Sequence, residues 1–439
     1  MHRNAQFALP IALAALAPLG FAVPADAQDG EPMVQEPAEQ YALEMRARQV
    51  VDLVNGDIEP EAIFTDSFLA SVPPAQFKAI SQQLTSQFGA ALAVESLDVP
   101  GGIRSGLALR MERAIARGGI TIDPEDENRV SGLLFQTFDP IGDSPEKIAA
   151  DLAALPGTSN ALLARLGDLD NPVFAHNPET QLALGSTFKL YVLSALTGAI
   201  ESGRLAWDTV VPLDRKSLPS GQMQDWPDNS PITLHTLAVM MVSISDNTAT
   251  DQLIGVLTRE GVEAELIASG NADPSRTIPL LTTRELFGFR GVSEAFLARY
   301  RAADDEAQRA ILEALTEDDV SQEQVEQTFA SETPGAIDIE WFASPRDLAG
   351  LLTRISAYES DTALGVMAVR PSLPDSALAQ WDYAGFKGGS EPGVLNLTWL
   401  LRDEAGEDWI LTAGWNNPES KVETATLEAI AQRILALPR

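Results

Sequence analysis

Residues 182–195 read LALGSTFKLYVLSA, an apolar run that breaks at Gly185 and resumes as a helical pattern opening on a serine. Ser186 and Lys189 are three residues apart, so a helix starting here puts their side chains on one face, roughly 5–6 Å apart at Cβ. An amine then stands beside a hydroxyl. A helix start also offers unpaired N–H groups and the positive end of the peptide dipole, both of which stabilise an alkoxide or an oxyanion. Ser186 is therefore the candidate nucleophile, and Lys189 the candidate group that takes its proton.

Histidine is the usual partner of a catalytic serine, but this chain has only His2, His176 and His235, the first in a segment expected to be removed. A Ser-His-Asp triad is short of candidates. Metal chemistry is disfavoured too: cysteine is absent and the two remaining histidines lack ligand spacing, so no metal and no cofactor are expected. The chain also holds a second Ser-x-x-Lys, Ser144-Pro-Glu-Lys147. There the serine reads as an N-cap, followed by proline at N1 and a first-turn acid.

A length of 439 residues favours two or three domains, and 45% apolar content is ample for packed cores. The formal charge of -33 argues against nucleic acid or anionic lipid as the main partner. Residues 1–27 read as a signal peptide: Arg3, an apolar run from Phe7 to Val23 broken by Pro10, Pro18 and Gly20, then Ala25-Asp26-Ala27 as a cleavage site. The unbroken apolar length is too short to span a bilayer comfortably. A soluble periplasmic or secreted protein is expected, with no lipid-anchoring cysteine.

Residues 28–39 read as a flexible leader rich in Pro, Glu and Gln. A first helix carries Leu43, Ala47, Val50, Val51 and Val54 on one face and stops at Gly56; a second, opened by Pro73-Pro74, carries Phe77, Ile80, Leu84 and Phe88 and ends at Gly89. The period then becomes alternating at Leu107, Leu109 and Met111, with Gly101-Gly102 and Gly118-Gly119 read as turns between strands. Residues 40–142 are thus expected to form a small α+β domain with a packing, spacer or binding role. It resembles the cone-shaped folds of steroid-isomerase-like or cystatin-like domains.

From Ser144 a helix and a hairpin, residues 161–167 and 173–175, lead into the Ser186 helix. A helix from Thr233 presents Leu234, Leu237, Met240 and Met241 and runs into Ser245-Asp246-Asn247, after which 248–257 is helical again. Read alone, Ser-Asp-Asn is a cap or turn. Phe386-Lys387-Gly388-Gly389-Ser390 then opens a strand, followed by strands over 394–401 and 409–415 and a terminal helix.

Taken in order, Ser186-x-x-Lys189, Ser245-Asp246-Asn247 and Lys387-Gly388-Gly389 resemble the three-part signature of penicillin-recognising serine hydrolases, and VMMVSISDNTATDQL looks like a class A β-lactamase. The resemblance covers residues 144–439 and implies, for 143–439, an α+β fold of the β-lactamase/transpeptidase type: an antiparallel sheet flanked by helices, plus an all-helical lobe. Two-domain members with an isomerase-like front half suit residues 40–142. By the same resemblance Ser186 is the acylated nucleophile and Lys189 its base, direct or through water. Ser245 relays the proton to the leaving group, Asn247 holds the substrate amide, and Lys387 lowers the lysine's pKa and attracts a substrate carboxylate. The Ser186 and Ser390 N–H groups form the oxyanion hole.

Two departures matter. Gly388 stands where a hydroxyl is usual, a loss Ser390 compensates in part, alongside Gly389. The span between the second and third motifs is long: 291–333 reads as inserted acidic helices with Phe296, Tyr300, Ala307, Ile311 and Leu315 as an apolar stripe and Asp304, Asp305, Glu313 and Asp318 solvated, either surface or a lid. The omega-loop glutamate that class A enzymes use for deacylation has no motif here; Glu285 in LLTTREL is the nearest candidate, with Glu332 and Glu340 behind it. The expected function is an exported serine hydrolase opening β-lactam amides or related esters. The alternatives are a D-alanyl-D-alanine carboxypeptidase or carboxylesterase, and a non-catalytic sensor of β-lactams or cell-wall fragments. Each takes a small-molecule β-lactam, ester or peptidoglycan-like ligand.

Overall fold

A computed structural model describes residues 37–98, 102–141, 143–289, 291–315 and 333–439. It forms two compact units that part between Asp143 and Ser144. The expected signal peptide and residues 28–36 lie outside the described residues. Residues 37–39, read from sequence as leader, are the first turn of a helix that opens on Pro37, where a missing N–H costs nothing.

The first unit packs α1 (Pro37–Asn55), α2 (Asp66–Ser71) and α3 (Pro74–Phe88) on an antiparallel sheet of β1 (Ala91–Leu97), β2 (Arg104–Met111), β3 (Ala114–Asp123) and β4 (Arg129–Pro140), in the order β1-β2-β3-β4. Leu43, Ala47, Val50 and Val54 of α1 are buried against Leu107, Leu109 and Met111, and Gly56 and Gly89 follow their helices at φ +83° and +79°. Gly118-Gly119 is a correction: the pair lies inside β3, not in a turn. A Cβ at Gly118 would fall 1.7 Å from Leu134 O at the bulge where β4 presses in, so the glycine serves close backbone approach.

The second unit is built on a five-stranded sheet of β5 (Thr158–Arg165), β6 (Phe174–His176), β11 (Tyr383–Glu391), β12 (Val394–Arg402) and β13 (Asp408–Asn416), ordered β11-β12-β13-β5-β6 and antiparallel throughout. One face packs on α4 (Pro145–Ala153) and the C-terminal helix Thr424–Leu435 through Ile148, Leu152, Leu427 and Ile434. The other face meets the helical lobe. At its centre is α5 (Lys189–Glu201), buried without interruption from Lys189 to Thr197, with Lys189, Ser194 and Thr197 as its buried polar members. Around it lie α6 (Leu234–Ser243), α7 (Asn247–Leu257), α8 (Arg259–Ala268) and α9 (Thr283–Phe289). Two short pairs, β7 (Leu182–Ala183) with β10 (Phe342–Ala343) and β8 (Val210–Pro212) with β9 (Pro231–Thr233), tie the lobes' loops.

The long span between the second and third motifs is helical in its described part, with Asp304, Asp305 and Glu313 exposed. It forms α10 (Glu294–Ala302) and α11 (Asp305–Glu313), separated at extended Ala303 and restarted by Asp304, whose carboxylate caps Ala307 N at 3.0 Å. Of the apolar stripe read from sequence, Tyr300 is buried in the main core and Phe296, Ile311 and Leu315 pack against it part-buried, while Ala307 is exposed. Arg309 of α11 reaches Glu263 of α8 at 2.8 Å, and Glu263 accepts Leu280 N at 2.8 Å. These helices are a wall of the lobe. Asp318 and Glu332 lie outside the described residues.

Candidate active site

Ser186 sits three residues before α5, in a 3-10 turn over Gly185–Phe188, so the α-helix proper begins at Lys189. Across residues 182–197 every side chain is buried except that of Ser186, which is part-exposed. The apolar register sinks the turn into the core and leaves one hydroxyl facing out. Gly185 adopts φ +51°, a left-handed conformation that costs an ordinary residue roughly 1–2 kcal/mol.

Lys189 is fully buried, and its ammonium reaches three oxygens: Ser245 O at 2.7 Å, Ser245 Oγ at 3.2 Å and Asn247 Oδ1 at 2.7 Å. Two of these are carbonyl oxygens that can only accept. A neutral Lys189 therefore keeps both while freeing its lone pair for a hydroxyl proton. Burial pushes its pKa down to about 7, opposed by the charges of Asp246 and Asp251.

Ser245 occupies the corner between α6 and α7 at φ +59°, an uncommon conformation for serine that turns its side chain toward both lysines. Lys387, on edge strand β11, donates to Ser245 Oγ at 3.1 Å and to Gly388 O. One hydroxyl thus bridges two buried ammonium groups. Burial first, then the like charge of Lys189, holds the pKa of Lys387 well below the usual lysine range. No carboxylate offsets this, so replacing it with an apolar isostere removes a desolvation cost. Lys387→Met is expected to raise stability by ~1–3 kcal/mol, read as a higher melting midpoint, while losing acylation. The gain is full below the depressed pKa and fades as pH rises toward 10.5, where the unfolded chain also loses its proton.

Asn247 is oriented by its own network: its N–H donates to Ser220 O at 2.9 Å and its Nδ2 to Leu218 O at 3.2 Å, leaving Oδ1 for Lys189. Asp246 caps α7 at Ala249 N (2.8 Å) and accepts Gln222 N and Met223 N at 2.7 and 2.9 Å. Ser-Asp-Asn is thus both a helix cap and a site corner. Gly221 is required beside it, since a Cβ would lie 2.2 Å from Asp246 Oδ2.

Gly389 lets β11 run against the serine turn. A Cβ there would fall 2.1 Å from Leu184 O, 2.5 Å from Ser186 N and 2.6 Å from Thr187 N, all backbone atoms. Ser390 N comes within 3.1 Å of the position a Gly185 Cβ would take, so β11 stays against the serine turn here as well. Gly388 and Ser390 share a strand face, Ser390 being exposed. The Lys-Gly-Gly string lies in the second half of its strand, not near its start.

Glu285 is placed differently from the lysine cluster's members: Arg259 clamps its carboxylate at 2.7 and 3.1 Å, and Thr282 N donates to it at 2.7 Å. Glu340 is buried and accepts Trp341 N. Ser144 of the second Ser-x-x-Lys caps α4 at Lys147 N (3.2 Å) with Lys147 exposed. His176 Nε2 lies 3.1 Å from both Ser159 Oγ and Asn177 Nδ2, and His235 packs edge-on to Trp207. No described group of His, Cys, Asp and Glu has metal-site geometry, and no described helix is long and apolar enough to cross a membrane. Sequence reasoning passed over Asp251, although its position four residues after Asn247, one turn along the same helix face, was a signal.

A sheet-and-helix fold of the β-lactamase/transpeptidase type, with these three motifs gathered at one corner, defines the class of serine β-lactamases and penicillin-binding proteins. The chain belongs to the Beta-lactamase enzyme family, whose sequence model matches residues 144–436. Among solved structures it is similar to a β-lactamase from Sphaerobacter thermophilus (20% identity, 66% of this chain and 94% of that one, TM-score 0.45). It is also similar to a point mutant of PBP-A, an acyl-enzyme complex with penicillin G (18%, 66% and 93%, 0.44), and to an ancestral class A β-lactamase (14%, 66% and 97%, 0.46). No curated protein sequence matches.

Proposed function

We propose that the chain is an exported serine acyl hydrolase that opens β-lactam amides or related esters through an acyl-enzyme on Ser186. The observation that carries the reading is the fully buried Lys189 beside Ser245 and Asn247, with a proton affinity poised near neutrality. Neutral Lys189 takes the Ser186 proton as Oγ attacks the carbonyl carbon. The Ser186 and Ser390 amides stabilise the oxyanion, an arrangement worth roughly a hundredfold or more in rate per donor. Ser245, bridging both lysines, hands a proton to the departing nitrogen or oxygen, and Lys387 favours anionic substrates. The export half of the reading rests on the signal-like residues 1–27.

A second reading, a D-alanyl-D-alanine carboxypeptidase or carboxylesterase, is favoured by one observation. Glu285, the carboxylate that would ready a water for deacylation, is engaged by Arg259 and Thr282 N. Penicillin followed by intact mass, and a chromogenic cephalosporin followed by absorbance, test the two together. Steady turnover supports the lactamase, and a lasting adduct supports the second reading. A protein that binds these compounds but forms no adduct with them or with activated esters is a sensor, and the proposal fails.

The acylation rate has a direct pH signature. It requires Lys189 neutral, so with a pKa of about 7 it should reach a plateau above pH 8 and fall about tenfold per unit below pH 6. Stopped-flow acylation across pH 5–9 checks this; a flat profile removes the lysine base.

A further inference from the structure

One turn beyond Asn247, Asp251 is a 4% exposed carboxylate on which two separate segments converge. Its Oδ1 accepts Thr283 N at 2.8 Å, and its Oδ2 accepts Ser217 Oγ at 2.5 Å and Arg284 N at 3.0 Å. Thr283 and Arg284 open α9, and Ser217 opens the loop that ends at Gly221. The same loop is stitched to α7 by Thr248, whose Oγ1 accepts Ser217 N (2.9 Å) and donates to Ser217 O (3.1 Å). Leu218 O and Ser220 O, a few residues on, are the acceptors that orient Asn247. A chain of bonds therefore runs from Asp251 through Ser217 to Leu218 O, to the Asn247 amide and to Lys189 Nζ.

We propose that Asp251 is a positioning residue of this site: its buried carboxylate pins the 217–221 loop and the first turn of α9 to α7, and so fixes Asn247 and Lys189. The donor set demands an ionised or at least two-acceptor carboxyl group, since all three partners are donors and an amide would turn its NH₂ against one side of them. Asp251 also acts through charge. Lys189 is faced by Lys387 from β11, by Asp246 from the α7 cap and by Asp251 from the α7 body. The two carboxylates favour the ammonium that burial disfavours. Burial likewise raises the pKa of Asp251 itself, opposed by its hydrogen bonds. The inference rests on the acyl-enzyme reading of the site and adds to it a carboxylate that, with Asp246, raises the pH at which Lys189 gives up its proton.

The test is Asp251→Asn in the full chain, with Ser217→Ala beside it. In Asp251→Asn the plateau acylation rate should fall about tenfold or more as Asn247 loses its orientation, and the acid limb should move down by about one pH unit as an anion is lost. Ser217→Ala keeps the charge, so its plateau should fall about threefold or more with the limb unmoved. An Asp251→Asn chain whose limb stays in place overturns the proposal, and so does a Ser217→Ala chain with a wild-type plateau, which remains decisive should Asp251→Asn fail to fold. The ¹³Cε resonance of Lys189, assigned by its loss in Lys189→Arg and titrated without substrate, separates the two levels of inference. If the wild type takes no acyl group the functional reading fails, while an unshifted Lys189 titration in Asp251→Asn fails Asp251 alone.

Discussion

Ser186→Ala is expected to leave no covalent adduct with penicillin or with any activated ester, at any concentration or time, as read by intact mass. The expectation follows from burial: around the serine turn, residues 182–197 present only the Ser186 side chain to the outside, so the turn itself offers no second hydroxyl. Ser245 Oγ is close, but it is held between two lysines at 3.2 and 3.1 Å and serves them as a bridge. Lys189→Met should come nearly as low, about 10³-fold or more in acylation rate, because groups that act as a unit fail together. Its melting midpoint should change far less than its rate. An adduct persisting in Ser186→Ala, mapped by proteolysis to another residue, would remove the nucleophile and the reading built on it.

That a hydroxyl and an amine fall three residues apart is written in the chain, and so is the order in which the second serine and the second lysine follow. The helical period likewise marks α1, α3 and α6, because one-sided burial imprints period on sequence, whereas β12 and β13 are buried on both faces. What sequence cannot carry is approach. Gly118-Gly119 looks like a turn until β4 is seen pressing Leu134 O against it. The acidic helices do keep Asp304, Asp305 and Glu313 exposed, but that Arg309 reaches Glu263 of α8 and that Asp304 restarts the helix are visible only in the fold. Asp251 looks like one more acid on a strongly acidic chain. Its meaning lies in three donors brought from residues 217, 283 and 284, contacts that exist only once the loops are folded.

The same logic makes Gly389→Ala the most damaging single methyl group the site can receive. A Cβ at this position meets Leu184 O, Ser186 N and Thr187 N between 2.1 and 2.6 Å, and real side chains essentially never sit under 3.0 Å. None of the three is the free end of a side chain. Leu184 N is hydrogen-bonded to Trp341 O at 2.9 Å, and Phe188, two residues on from Ser186, stacks on Trp341 with centroids 3.6 Å apart, so the turn has nowhere to retreat. The strand cannot step away without straining its register with β12, where Gly389 faces Asn396 and Lys387 faces Thr398. Something must still move, and either movement parts the Ser186 amide from the Ser390 amide. Oxyanion donors act only within about 2.7–3.1 Å of the oxygen they serve, so a displacement near 1 Å disables one or both. Acylation should drop about 10²–10³-fold per donor lost, and overpacking should cost a further ~1–3 kcal/mol in stability. Gly388→Ala is the matched comparison: its Cβ meets chiefly the Phe386 ring at 2.8 Å, a side chain able to rotate, so most of the rate should survive. Stopped-flow acylation and thermal melts on the pair decide the matter. Equal losses in the two variants would mean that the contact between β11 and the serine turn does not set the oxyanion geometry.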